Sequence, residues 1–280
     1  MSRFTENTMF IQRPSRRRTF LGAVPLLMLA SACAPQAEKI DGDWETAGDR
    51  TDQIDHTAWD NILSSYVIVG EDGINRFDYA GLQDNAKDEL IAYVDSLEEV
   101  RITEYPKDEQ YAYWVNLYNA ATVEAIIENY PLESIRDIGL LGQGPWDDAF
   151  LIVENQPLTL NNIEHGILRP IWQDVRIHYA VNCASIGCPN LATKAYTAAD
   201  LEEMLEEAAT SYVNHPRGFE ARDGELIASN IYDWYQVDWG DEQGVLDHAR
   251  EYAEGDTIDL LENATSIGGY DYDWALNESN

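Results

Sequence analysis

Residues 107–130 read KDEQYAYWVNLYNAATVEAIIENY. Trp114, Leu117, Tyr118, Ala121 and Ala125 recur at helical spacing, and Tyr113, Ala120, Val123 and Ile127 widen the stripe. So broad an apolar surface predicts a helix buried on most of its sides. Asp108 can cap its start, and Pro131 ends it because proline cannot continue a helical hydrogen-bond ladder. Asn116 and Asn119 lie one turn apart within it. Buried amides need hydrogen-bond partners, so these two are expected to tie down loop backbone, or one of them to orient a catalytic group.

Helices are also predicted on either side of this one. Residues 55–69, DHTAWDNILSSYVIV, place Trp59, Leu63 and Tyr66 at helical spacing, and a second helix is expected over 85–99. Beyond residue 149 the pattern changes. AFLIV at 149–153 reads as a strand, and Asn161 or Asn162 caps a short helix over 163–169. Residues 176–181 alternate, with Ile177, Tyr179 and Val181 on one face and His178, Ala180 and Asn182 on the other, which predicts a strand. Thr197 to Asp200 has the spacing of a capping box opening a helix to Val213, Asp223-Gly224 marks a hairpin turn, and residues 244–254 read as a helix. The expected fold class is α+β, a helix-rich N-terminal half packed on a small, mostly antiparallel sheet. No repeat or Pro/Gly-rich linker divides residues 54–280, which read as a single domain.

The chain carries 51 acidic against 18 basic residues, a net charge of −33 in 280 residues. A field this negative repels nucleic-acid phosphates and anionic lipid headgroups, so neither is expected as a partner. Five of the basic residues are arginines among residues 1–33. There, SRRRTFLGAVPLLMLASAC at 15–33 joins arginines to an apolar run too short to span a bilayer, the form of an export signal. SRRRTFL resembles the twin-arginine export motif. Leu29 to Cys33 resembles a bacterial lipobox with Cys33 as the acylated residue, and simple cleavage after Ala32 is the other outcome. A periplasmic or cell-surface protein is expected, touching the membrane only through that lipid. Residues 34–53 are polar and aperiodic and read as a flexible tether.

Chemistry concentrates in Glu164, His165, His178, Cys183 and Cys188. A thiol becomes a nucleophile as the thiolate, which a neighbouring imidazole stabilises. Cys183 follows an apolar run and opens a Ser/Gly turn, where free N–H groups of residues 184–187 could form an oxyanion hole. His165 or His178 could be the base. Glu164 and His165, adjacent on a helix, point about 100° apart and should contact different groups. Export to an oxidising compartment equally allows a Cys183–Cys188 disulfide. A metal site is not expected, because C-x4-C with H-x12-H is no familiar zinc spacing. No cofactor is expected either. His56, His215 and His248 sit in polar stretches and are expected to be exposed.

Four stretches, YAYWVNLYNAATVEAII, LTLNNIEHGILRP, RIHYAVNCASIGCPNL and YDYDWALN, occur in that order between Tyr111 and Asn277. Together they resemble the family called domain of unknown function 547. That family is similar to papain-like or transglutaminase-like cysteine enzymes with a Cys–His–Glu set. The resemblance implies Cys183 as nucleophile, Glu164 with His165 or His178 as its partners, and Asn116, Asn119 and Asn182 in support. The implied function is a cell-envelope thiol hydrolase or acyltransferase acting on an amide or thioester bond of a peptide or small molecule. The alternative is a non-catalytic envelope lipoprotein that binds a peptide, small thiol or metal and is clipped by Cys183–Cys188.

Overall fold

A computed structural model of the chain describes residues 36–139 and 142–279. The stretch read above as an export signal, with Cys33, lies outside the described residues. Helix α1 (Thr57–Tyr66) leads into a hairpin of β1 (Val67–Val69) and β2 (Asn75–Phe77). Helices α2 (Tyr79–Asn85), α3 (Lys87–Glu98) and α4 (Lys107–Asn129) follow. In α4 every residue from Gln110 to Val123 is buried, as its wide apolar stripe requires. Asp108 sits in the first turn but makes no cap, and Pro106 holds the N-cap position instead. Extended backbone at Tyr130, the residue before Pro131, closes the helix.

A second hairpin pairs β3 (Leu151–Val153) with β4 (Gln156–Leu158). The chain then enters a π-helical segment, Asn162–Leu168, continued by α5 (Arg169–Trp172). Pro170 explains what packs there. A carbonyl at His165 in π geometry, or at Gly166 in α geometry, needs an N–H from residue 170, and proline has none. The N–H groups of Glu38 and Ile40 donate to those two carbonyls instead, at 3.0 and 3.4 Å. Residues 36–53, read above as a tether, therefore lie along the body. Trp44 is buried edge-on against Trp114, with ring centroids 5.4 Å apart. Gly166 permits the approach, since a Cβ there would sit 2.6 Å from the Ile40 side chain.

The largest departure from expectation is at 176–181. It forms a short helix, α6 (Ile177–Ala180), and not a strand. Asp174 starts it, accepting the Arg176 N–H on its side chain at 2.9 Å and the Ile177 N–H on its carbonyl. One turn is too short to reveal a 3.6-residue period, and all four residues are buried, so their apparent alternation had no exposed face to mark. The remaining elements are α7 (Leu201–Val213), β5 (Phe219–Arg222), β6 (Glu225–Ser229), α8 (Asn230–Trp234), α9 (Glu242–Tyr252), α10 (Asp256–Asn263) and β7 (Gly269–Asp271). Asp223 and Gly224 both adopt positive φ between β5 and β6, as a tight hairpin turn demands. β7 joins β6 in parallel, so the expected single sheet is resolved into two hairpins and one three-stranded mixed sheet. The fold class is α+β. No helix of the described residues is long and apolar enough to cross a membrane.

Two apolar cores result. One surrounds α4, and the other gathers Tyr212, Phe219, Ile231, Tyr232 and Leu246 beneath the mixed sheet. Helix α6 spans the seam between them. Ile177 and Ala180 enter the first core and Tyr179 the second. The cysteine loop leaves α6 at this seam and is clamped from α4. Asn119 donates to the Ala180 carbonyl at 2.9 Å and accepts the Asn182 N–H at 2.8 Å. Asn116 makes the same two-way bond to the backbone of Tyr196, at 2.8 and 2.9 Å. Asn116→Ala and Asn119→Ala should each cost on the order of 2–4 kcal/mol of stability, because each leaves a buried donor and acceptor unpaired at roughly 1–3 kcal/mol apiece. Denaturant titration checks this, and a loss below about 0.5 kcal/mol, the scale of a surface change, would mean that the clamp is replaceable.

Candidate active site

The loop from Asn182 to Cys188 is held from every side. Asn182 donates its amide to the Pro189 carbonyl at 2.7 Å and accepts the Ala184 N–H at 2.8 Å. Ala184 is left-handed, φ 60°, with its side chain buried. That conformation is strained for a residue with a Cβ and persists only where surroundings impose it. The C-terminal stretch supplies much of the constraint. Ile186 and Gly187 donate to the carbonyls of Ala275 and Asp273, and Asn277 donates to Ala184. Gly187 has no room for a side chain, since a Cβ would lie 2.8 Å from the Asp273 nitrogen. From the other core, Tyr212 donates to the Gly187 carbonyl, and Arg217 to the carbonyls of Ile186 and Cys188.

These bonds bear on the expected oxyanion hole. The N–H groups of Ala184, Ile186 and Gly187 are spent within the protein, so of the four groups the sequence suggests for such a hole at most that of Ser185 is left. The side-chain donors beside the Cys183 sulfur are two hydroxyls and a thiol. The Cys183 sulfur, half-buried, lies 3.0 Å from Cys188 Sγ and 3.1 Å from both Ser185 Oγ and Tyr272 Oη. The two hydroxyls are themselves 2.8 Å apart. A thiolate at Cys183 can only accept, so it would draw hydrogen bonds from the Cys188 thiol and both hydroxyls. These lower the Cys183 pKa, the Cys188 contact most, against the opposing effects of burial and of the Glu164 carboxylate. Burial and the neighbouring Cys183 push the Cys188 thiol well up. Both cysteines are free thiols in this structure.

Neither His165 nor His178 is among the hydrogen-bond partners of the Cys183 sulfur, which among the described residues are Ser185, Cys188 and Tyr272. His178 serves a second network. Its Nε2 donates to Asp238 at 2.7 Å, and its ring stacks on Tyr235 with centroids 4.4 Å apart. Its Nδ1 is buried with no partner among the described residues. Asp238 also takes two bonds from Arg169, at 2.6 and 2.8 Å. Burial alone would raise the Asp238 pKa, yet these hydrogen bonds hold it well below the usual carboxylate range. Arg169 reaches back to His165 Nδ1 at 3.1 Å. A guanidinium only donates, so Nδ1 accepts and the His165 proton resides on Nε2. Burial further favours this neutral ring.

Glu164 stands apart from both networks. It is 4% exposed, and its carboxylate lies 3.7 Å from His165 Nδ1. Among the described residues it makes no hydrogen bond, an unusual state for a buried carboxyl. It lies close enough to Cys183 to oppose formation of the thiolate. No group of three or more His, Cys, Asp or Glu side chains among the described residues could hold a metal ion. The other histidines are less exposed than their polar surroundings suggest. His56 is buried against the Tyr93 hydroxyl at 2.7 Å, while His215 and His248 are half-buried.

Residues 102–213 match the family model described as Protein of unknown function, DUF547. The matched DUF547 segment contains Asn116, Asn119, Glu164, His165, His178, Asn182, Cys183 and Cys188. No curated protein and no solved structure matches the chain. Tyr272 and Asp238 lie C-terminal to the segment, and sequence reasoning assigned them no role. Tyr272 lay in the YDYDW motif, but nothing local says that its hydroxyl reaches a sulfur 89 positions away. Ser185, inside the CASIGC turn, was overlooked in the same way.

Tyr272→Phe removes one donor from the Cys183 thiolate without altering the ring. The pH midpoint for alkylation of Cys183 by iodoacetamide should therefore rise, and that of Ser185→Ala with it. The wild-type midpoint should fall below the ordinary thiol value of ~8.5. A Tyr272→Phe profile superimposable on wild type would show that the hydroxyl does not stabilise the thiolate.

Proposed function

We propose that this protein is a thiol-dependent acyl-transfer enzyme of the cell envelope on a papain-like plan, hydrolysing or transferring an amide or thioester. The observation that carries the reading is the Cys183 sulfur, half-buried and held by hydroxyl and thiol donors that favour its reactive form. Attack by this sulfur on an acyl carbon forms the C–S bond and moves the carbonyl π pair onto oxygen. Ser185 and Tyr272 are the nearest O–H donors for that oxygen. Collapse expels an amine or thiol, which takes up from solvent the proton that Cys183 gave up on ionising, while the neutral His165 offers its Nε2–H as a hydrogen-bond donor. Glu164, without a hydrogen-bond partner among the described residues, accepts or relays a proton during deacylation by water or an acceptor. His178 acts at one remove, fixing Asp238 and thereby the Arg169 that orients His165.

A half-buried aromatic wall supports a substrate with apolar surface. Tyr272, Trp234 and Trp146 gather around Trp274 with centroids 4.7, 5.4 and 5.9 Å from it, and the Tyr272 hydroxyl reaches the sulfur. Tyr272 also borders a cavity of about 260 Å³ lined by Gly187, Arg217, Arg222, Asp271 and Asp273. The charge of the chain favours a neutral or cationic substrate over an anionic one.

Covalent capture of an acyl electrophile tests the reading. Wild-type protein should form a thioester at Cys183 with a thioester or activated-amide probe, and Cys183→Ala should form none. Glu164→Gln should slow turnover by about 100-fold or more, the usual weight of a proton-transfer group, while leaving the melting temperature close to wild type. Acylation elsewhere, or turnover that survives Cys183→Ala, would sink the proposal.

The envelope location rests on SRRRTFL and on Leu29 to Cys33. In this proposal Cys33→Ser abolishes lipid labelling, and replacing Arg16 and Arg17 together by Lys blocks export. Recovery of an unlipidated protein cleaved after Ala32 would remove the anchor and keep the export.

A further inference from the structure

Acyl transfer at Cys183 uses Cys188 only as a hydrogen-bond donor, yet the structure places the two sulfurs 3.0 Å apart. We propose that Cys183 and Cys188 form a redox-active dithiol that exchanges with low-molecular-weight disulfides, Cys183 attacking and Cys188 resolving. This activity goes beyond the acyl-transfer reading and does not depend on Glu164 or His165.

Three observations carry it. First, the pair is asymmetric. Cys183 is half-buried, whereas Cys188 is 4% exposed and lies behind it, its sulfur against that of Cys183. Second, each sulfur has its own donors. Ser185 and Tyr272 serve Cys183, and the Cys183 backbone N–H points at Cys188 Sγ at 3.0 Å. The attacking and the resolving thiolate are thus each met by a hydrogen bond when it forms. Third, a disulfide bond is ~2.05 Å long, so the sulfurs must close by about 1 Å, a movement on the scale of side-chain torsions. One proton shared between two sulfurs also separates their acidities, lowering Cys183 and raising Cys188.

The reaction balances in two steps. The Cys183 thiolate attacks one sulfur of R–S–S–R, forming the mixed disulfide Cys183–S–S–R and releasing RS⁻, which takes a proton. The Cys188 thiol then loses its proton and attacks Cys183 Sγ, forming the Cys183–Cys188 bond and expelling the second RS⁻. The protein gives up two electrons and two protons, and the disulfide becomes two thiols. Because exchange is reversible, excess thiol returns the pair to the reduced form.

The test uses the full chain, reduced, freed of reductant and exposed to oxidised glutathione, with quenching by N-ethylmaleimide and mass analysis of cysteine peptides. Wild type should accumulate the Cys183–Cys188 disulfide without a lasting glutathione adduct, and excess reduced glutathione should reverse it. Cys188→Ser should trap one glutathione on Cys183. Cys183→Ser should react at least tenfold more slowly, with a thermal melt confirming that both variants are folded. A wild-type protein that holds glutathione on Cys183 at equilibrium would overturn the proposal. So would one that leaves both thiols free to alkylate. A disulfide that resists excess reduced glutathione would assign the pair to a structural clip and overturn it equally.

Discussion

The site depends on one buried amide. Asn119 sits in the middle of α4, where no water reaches, and its two polar groups must be satisfied by protein. It satisfies them with the Ala180 carbonyl and the Asn182 N–H, the two ends of the turn that leads from α6 into the cysteine loop. A helix rigidified by burial on nearly all sides thus sets the position of a loop that is otherwise irregular. Asn182 extends the same logic to Pro189 and Ala184, so the left-handed Ala184 is held in a conformation it would not adopt alone. Each bond is modest, but each would leave a buried group unpaired if broken, which gives the chain of amides its stiffness.

Around this clamp the protein separates two electrostatic tasks. The Asp238 carboxylate is shared by Arg169 and His178, so its charge is neutralised by partners that donate directly to it. Arg169 passes that order to His165 by occupying Nδ1. The sulfur site is organised otherwise, its partners among the described residues being neutral hydroxyl and thiol donors. The seam between the two apolar cores is where both arrangements can coexist, since side chains from either core reach it.

Much of the site was legible as a set of residues and little of it as a geometry. The buried helix, its two amides, the Asp223-Gly224 turn and the cluster of Glu164, His165, His178 and the cysteines all follow from spacing and residue type. The α6 segment reads as a strand in sequence because one helical turn is too short to show its period and all four of its residues are buried. Residues 36–53 looked like a tether because docking of extended chain onto unpaired carbonyls has no periodicity to detect. Only Pro170 hinted that such carbonyls existed.

Chain chemistry by itself determined the α+β class, the strongly acidic net charge and the burial of the helix over 107–130. Tertiary structure decided who attends that sulfur. Ser185, Cys188 and Tyr272 converge on it, while the two histidines turn to Arg169 and Asp238. The reason is physical. Hydrogen-bond partnership is set by distances of a few ångströms across a folded core, and residues as far apart in sequence as Cys183 and Tyr272 acquire such a distance only when the C-terminal stretch donates and accepts along the cysteine loop.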